Sequence, residues 1–344
     1  MNRRQVIAAP LALAACSRGE TRAEARADIP PLKSLAPFPL GVAAMTEQFA
    51  DPAWDALART HFDRVTPEWE MKAEAVVGED GGFDWSRPDR LMALAEERSL
   101  DVFGHTVVWY SQVPPSFAGL DSEAFRAAYS AYVRTFVGRW RGRVRAWDVV
   151  NEPVRDDGGY RTDNGWARAL GMDYVRLAFE HAREADPDAV LFLNDYNLEQ
   201  IAAKRRDFLR LAEDLLKAGA PLGGLGAQTH VPADLPAGAV REAVRELAAL
   251  GLPVHVSELD VSLNRARGPS RQAAIVGEVV EAVMALPEPQ RFGVTLWGAR
   301  HRDSWLNRPP ERNPLREDRP LLFEDDGRPG PMAVALVEAL RAGG

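Results

Sequence analysis

Val144-Arg145-Ala146-Trp147-Asp148-Val149-Val150-Asn151-Glu152-Pro153 is an apolar, β-prone run that stops at an amide, a carboxylate and a proline. Proline has no N–H to give to a strand ladder, so Pro153 ends the strand and leaves Asn151 and Glu152 at its C-terminal tip. Working outward, short apolar runs of the same kind recur at Pro39–Ala44, Phe62–Thr66, Asp101–Val108, Ala189–Asn194, Gly223–Thr229, Pro253–Glu258 and Phe292–Trp297. Between them the apolar residues fall at helical spacing, in Arg87–Arg98, Ser122–Trp140, Tyr174–Ala185, Ile201–Ala218, Ala239–Leu250, Arg271–Leu286 and finally Pro331–Ala342. Eight strands alternating with helices predict a closed (β/α)8 TIM barrel, in one domain spanning 38–344. The alternative is an open doubly wound sheet, although no glycine-rich phosphate loop follows the first strand to favour it.

In such a barrel the C-terminal strand ends form the functional face. Large polar residues fall there strand after strand: Glu68, then His105 and Trp109, Asn151 and Glu152, Asn194 and Asp195, Gln228 and His230, Glu258 and Asp260, and Trp297. Glu152 and Glu258, after the fourth and seventh strands, face one cavity. Paired carboxylates suit glycoside hydrolysis, in which one protonates the leaving oxygen while the other stabilises or attacks the oxocarbenium-like centre. Either glutamate alone reads equally well as one half of a surface ion pair.

Several motifs are similar to those of glycoside hydrolase family 10, in that family's order. They are Thr66-Pro67-Glu68-Trp69-Glu70-Met71-Lys72, Gly104-His105-Thr106-Val107-Val108-Trp109, Trp147 to Pro153, Leu193-Asn194-Asp195-Tyr196-Asn197, Gln228-Thr229-His230 and Ser257-Glu258-Leu259-Asp260. Trp297-Gly298, Asp303-Ser304-Trp305 and Pro320-Leu321-Leu322-Phe323 complete the set, so the likeness runs from about Phe38 to Pro331. The resemblance implies a retaining endo-β-1,4-xylanase with Glu152 as acid/base and Glu258 as nucleophile, their carboxyl groups about 5 to 5.5 Å apart. It also implies that His230 hydrogen-bonds Glu258 while Asp260 orients the imidazole, with Gln228 beside them. Asn151 would meet the sugar's 2-hydroxyl. Glu68, Lys72, His105 and Gln112 would bind or orient the glycone sugars, and Trp109, Trp297 and Trp305 would wall the cleft. Two residues depart from the family pattern. Trp69 stands at a usual asparagine and Tyr110 at a frequent histidine, which bears on the distal glycone subsite.

Composition narrows the partners. The 344 residues carry a net charge of −8 with the signs interspersed, which leaves no basic stripe for nucleic acid. The expected partner is xylan or a xylo-oligosaccharide, acted on by a monomer. His61, His181, His255 and His301 show no metal-ligand spacing, and no Gly-x-Ser-x-Gly elbow occurs, so neither metal nor cofactor is implied. Other readings are the same fold acting on β-1,4-glucan or aryl glycosides, and a glycan-binding lipoprotein without turnover.

At the N-terminus, Arg3-Arg4 precede an apolar run, Val6 to Ala15, too short to span a bilayer. The arginines resemble a twin-arginine signal, and Leu13-Ala14-Ala15-Cys16 resembles a lipobox. The expectation is a signal peptide over 1–15, lipidation of Cys16, the one cysteine, and a flexible tether over 16–37. That makes the protein an exported periplasmic or cell-envelope lipoprotein held to the membrane only by its lipid. A cytoplasmic protein with an Ala-rich N-terminal helix is the alternative.

Overall fold

Strands covered on both faces read as continuous apolar runs, and every residue of Leu40–Ala44 and of Val254–Ser262 is buried. The computed structural model describes residues 28–308 and 317–343. Its strands are β1 (Leu40–Ala44), β2 (Arg64–Pro67), β3 (Asp101–Trp109), β4 (Val144–Asn151), β5 (Val190–Asp195), β6 (Gly224–Ala227), the short β7 (His230–Pro232), β8 (Val254–Ser262) and β9 (Arg291–Leu296). The ladders run β6-β5-β4-β3-β2-β1-β9-β8, and β6 pairs in parallel with β8 to close the ring. The fold is therefore a (β/α)8 barrel, and the open sheet is excluded because no barrel strand is left as an edge.

The barrel interior changes character along its axis. Near the N-terminal strand ends, Phe103, Phe192, Phe292 and His255 pack with ring centroids 4.4 to 5.9 Å apart. Arg64 lies 4.4 Å over the Phe292 ring, its pKa pushed down to about 10 by burial. This plug fills the floor. Outside, helix Ser122–Gly138 buries Phe125, Tyr129, Tyr132, Val133, Phe136 and Val137, a helical stripe against the sheet, and Asp121 caps it by accepting from the Ala124 N–H at 2.9 Å.

Three expectations need correction. The predicted sixth strand, Gly223–Thr229, ends at Ala227, because Thr229 takes a left-handed φ of 60° and breaks the ladder. The chain resumes as β7, where His230 lies opposite Asp260 of β8. The seventh predicted strand instead runs past Glu258 to Ser262, so Asp260 lies within the ladder. The body also begins before Phe38. Leu32 is fully buried, its N–H donates to His61 Nδ1 at 3.3 Å, and Lys33 Nζ donates to the Arg59 carbonyl at 2.7 Å. Leu32 and Lys33 thus anchor residues 28–37, the described part of a segment whose composition reads as tether. Helix Pro52–His61, with Asp51 as its cap and proline at its first turn, was signalled in the sequence by those residues but not read there. Cys16 and the signal segment lie outside the described residues.

The floor and the polar mouth are separate layers, so truncating the floor should cost stability before activity. Phe192→Ala is expected to lower unfolding free energy by about 3–5 kcal/mol in urea titration. Turnover of the folded fraction should stay within about threefold, since the ring packs with Phe103, His255 and Phe292 at the floor.

Candidate active site

The C-terminal strand ends open on a cleft of about 720 Å³. Glu68, Lys72, His105, Trp109, Gln112, Asn151, Glu152, Gln228, His230, Glu258, Trp297 and Trp305 all line it. Asp260 sits just behind, fully buried. The expected residues are thus gathered in one place.

Glu152 directly follows β4 in a left-handed conformation, φ 59°, and its N–H donates to the Asn194 carbonyl at 2.8 Å. The turn aims the carboxylate into the cleft. Oε2 accepts from Trp109 Nε1 at 2.9 Å, and Oε1 accepts from Gln228 Nε2 at 3.0 Å and Asn151 Nδ2 at 3.3 Å. All three donors are neutral.

Glu258 on β8 is 4% exposed and stands among cations instead. Oε2 faces His230 Nε2 at 3.2 Å, and Oε1 accepts from Asn194 Nδ2 at 2.9 Å. Burial alone would raise its pKa, but the charges of His105, His230 and Lys72 and the His230 hydrogen bond outweigh it and hold the carboxyl below its usual range. His230 in turn is fixed by Asp260, whose Oδ2 accepts from Nδ1 at 2.8 Å and from Trp305 Nε1 at 2.8 Å. Burial would lower the imidazole's pKa, yet the flanking carboxylates Asp260 and Glu258 push it up to about 10.

Three further residues complete the network: Asp148, Asn194 and Ser257. Asp148 Oδ2 meets His105 Nδ1 at 2.8 Å, and Ser257 Oγ donates to Asn194 Oδ1 at 2.8 Å. Asp148 is pushed up to about 6 by burial, against the pull of His105. A carboxylate in the middle of the apolar run Trp147 to Val150 was the available signal for it. Gly226 makes the space, since a Cβ there would stand 2.2 Å from Asn194 Oδ1.

The remaining predicted residues form the walls. Lys72 lies 4.9 Å over the Trp109 ring, Glu68 accepts twice from Arg308 Nη2 at 2.7 and 2.8 Å, and Gln112 Oε1 accepts from the Glu74 N–H at 3.2 Å. Trp297 packs edge-on to His105 at 5.2 Å and Trp305 tilts against His230 at 5.3 Å. Trp69 and Tyr110 both line the cleft, Tyr110 with the Arg161 guanidinium 4.1 Å from its ring. Among the described residues, His105, Asp148 and Glu258 bring possible metal-ligand atoms within 4.8 Å of one another. The Asn194 amide N–H₂, 3.3 Å from Asp148 and 2.9 Å from Glu258, stands where an ion would bridge them. That amide ties Asp148 and Glu258 into a hydrogen-bond network with His105, in which Asp148 Oδ1 stays buried without a partner.

Residues 33–339 match the model of glycosyl hydrolase family 10. Endo-1,4-beta-xylanase C of Paenibacillus barcinonensis is 35% identical over 321 residues, covering 84% of this chain and 29% of that protein. Endo-1,4-beta-xylanase A of Cellvibrio japonicus is 34% identical over 348 residues, covering 90% of this chain and 56% of that one. The chain thus spans well under two thirds of these relatives' length. Among solved structures, a thermostable mutant of a xylanase from Cellvibrio japonicus superposes with a TM-score of 0.82 at 34% identity, covering 90% of this chain and 99% of that one.

The His230 arrangement carries a pH signature. A group with a raised folded pKa stabilises the fold fully below its unfolded value, near 6.5, and loses that contribution as pH rises through about 10. The stability difference between wild type and His230→Gln should therefore be largest at pH 6 and shrink by pH 10 in urea titrations. A gap that is flat across that window would refute the assigned charge state.

Proposed function

The chain belongs to glycosyl hydrolase family 10, and from that membership together with the site geometry we propose that it is a retaining endo-β-1,4-xylanase. The observation that carries the reading is the contrast between the two carboxylates. Glu258 is surrounded by His230, His105 and Lys72, while Glu152 receives only neutral amide and indole N–H groups. The first environment favours an ionised nucleophile. The second offers Glu152 hydrogen bonds from neutral donors alone, the setting of a group that must give up and take back a proton.

On this reading a Glu258 oxygen attacks the anomeric carbon as Glu152 gives its proton to the departing glycosidic oxygen, leaving a glycosyl ester on Glu258. Water then enters on the Glu152 side, loses a proton to that carboxylate and displaces Glu258, so the product keeps the substrate's configuration. Asn151 meets the 2-hydroxyl of the reacting sugar, a hydrogen bond that strengthens as the ring flattens. Lys72, His105 and Gln112 hold the glycone, and Trp297 and Trp305 exclude water from the ring faces. A cleft lined from the ends of most strands suits a chain bound across its middle. Soluble xylan, carboxymethyl cellulose and mannan separate the substrate readings. Reducing-sugar release from xylan above the other two, lost by more than about 10³-fold in Glu258→Ala, is expected. Release of the inverted anomer in proton NMR would overturn the mechanism, and binding without release by wild type and variant alike would favour a glycan-binding role.

We further propose that residues 1–15 export the protein and that Cys16 is lipidated, which places the enzyme in the cell envelope. The support is the sequence pattern of Arg3-Arg4 and Leu13-Ala14-Ala15-Cys16. Radiolabelled palmitate should enter the wild type and not Cys16→Ser. Equal labelling of both would dismiss the anchor.

A further inference from the structure

Thr229 separates the two residues that serve the catalytic pair. Gln228 Nε2 donates to Glu152 Oε1 at 3.0 Å, and His230 Nε2 meets Glu258 Oε2 at 3.2 Å. Thr229 itself is fully buried at φ 60°, a conformation that a β-branched residue adopts only under constraint. Its hydroxyl donates to Glu199 Oε1 at 2.6 Å, with the Ala227 carbonyl a longer alternative at 3.2 Å. Glu199 is 6% exposed, lines no part of the cleft, and leaves Oε2 buried with no partner. A buried carboxyl with one short hydrogen bond is a costly group to retain for packing alone. Burial raises its pKa, against the Thr229 hydrogen bond and the weaker pull of His230 and Arg205. Its own loop is held, since Arg205 Nη1 donates to the Leu198 carbonyl at 2.7 Å and Arg205 Nε pairs with Glu246 at 2.7 Å.

We propose that Glu199 is a positioning residue that clamps Thr229 in its left-handed turn and so aims Gln228 at Glu152 and His230 at Glu258 together. The turn works because β6 runs out at Ala227 and β7 starts at His230, so the two side chains on either side of Thr229 reach different carboxylates. Gln200 Nε2 at 3.4 Å and Arg265 Nη1 at 3.1 Å also donate to the His230 carbonyl, which fixes the far end of the turn and leaves Thr229 as its adjustable point. The inference rests on Glu152 and Glu258 being the catalytic pair.

The test compares Glu199→Leu, Thr229→Val, their double variant and Thr229→Ser in the full-length protein. Turnover is read per active site, counted by covalent trapping with a 2-fluoro xylobioside. A misplacement of about 1 Å costs about 10²-fold, so Glu199→Leu and Thr229→Val should each lower kcat about 10- to 100-fold with KM within about twofold. The acid limb of the pH profile should move to higher pH as Glu258 loses its partner. Thr229→Ser keeps the hydroxyl and should stay within about threefold of wild type. The double variant should be no worse than either single one, because both remove the same hydrogen bond. NMR titration of the His230 imidazole gives a readout independent of turnover, expected to fall from about 10 in Thr229→Val. Wild-type kcat and His230 titration in Thr229→Val, or additive losses in the double variant, would discard the clamp. An inert wild type with the His230 shift still clamp-dependent would instead discard the catalytic reading.

Discussion

Asn194 is bonded to both glutamates, and the site is arranged around it. Its Nδ2 has two hydrogens and three acceptors within reach: Glu258 at 2.9 Å, Asn151 at 3.0 Å and Asp148 at 3.3 Å. Its Oδ1 is engaged by Ser257, and its backbone carbonyl receives the Glu152 N–H. One residue therefore sets the height of both glutamates at the barrel mouth, through the side chain for one and the main chain for the other. A buried amide so fully engaged has no alternative rotamer of comparable energy, because any rotation strands a polar group without water.

That arrangement is supported from outside by local strain. Glu152 and Thr229 both adopt left-handed backbone, which costs about 1–3 kcal/mol each and persists only where surrounding bonds over-determine it. At Glu152 the Asn194 carbonyl and Asp195 share the task, the latter accepting from the Val154 N–H at 3.0 Å while buried Lys204 neutralises it at 2.8 Å. Burial pushes Asp195 up to about 7 against the pull of Lys204, so this pair is as much a charge device as a strut. The apolar floor of Phe103, Phe192 and Phe292 supplies the burial that offsets such strain, and it lies at the opposite strand ends, where it does not constrain the cleft.

Strand-by-strand comparison shows what kind of information was readable. β4 coincides with the run that opened the reading because Pro153 terminates it by covalent necessity. Gly223–Thr229 was read too long because a run of small and polar residues carries no signal for the positive φ at Thr229. Leu32 escaped notice because one buried side chain does not shift local composition. Asp148 and Ser257 were hidden for a related reason. Each lies inside an apolar strand, and which face a strand residue presents follows from the register shifts at Asp148/Val150 and Val256/Leu259.

By itself the sequence determined the alternation of strands and helices, the barrel, and the placing of Glu152, Glu258 and most of the cleft-lining residues at the strand ends. These are legible because hydrophobic period and strand-terminal polar residues are local properties, and the motifs are short. Only the tertiary structure decided that Trp109 donates to Glu152, that the Asn194 amide donates to Glu258, that His230 sits between Glu258 and Asp260 at 3.2 and 2.8 Å, and that Glu199 reaches Thr229. Those contacts join residues 28 to 64 positions apart, and closing the barrel is what brings them within a hydrogen bond of one another.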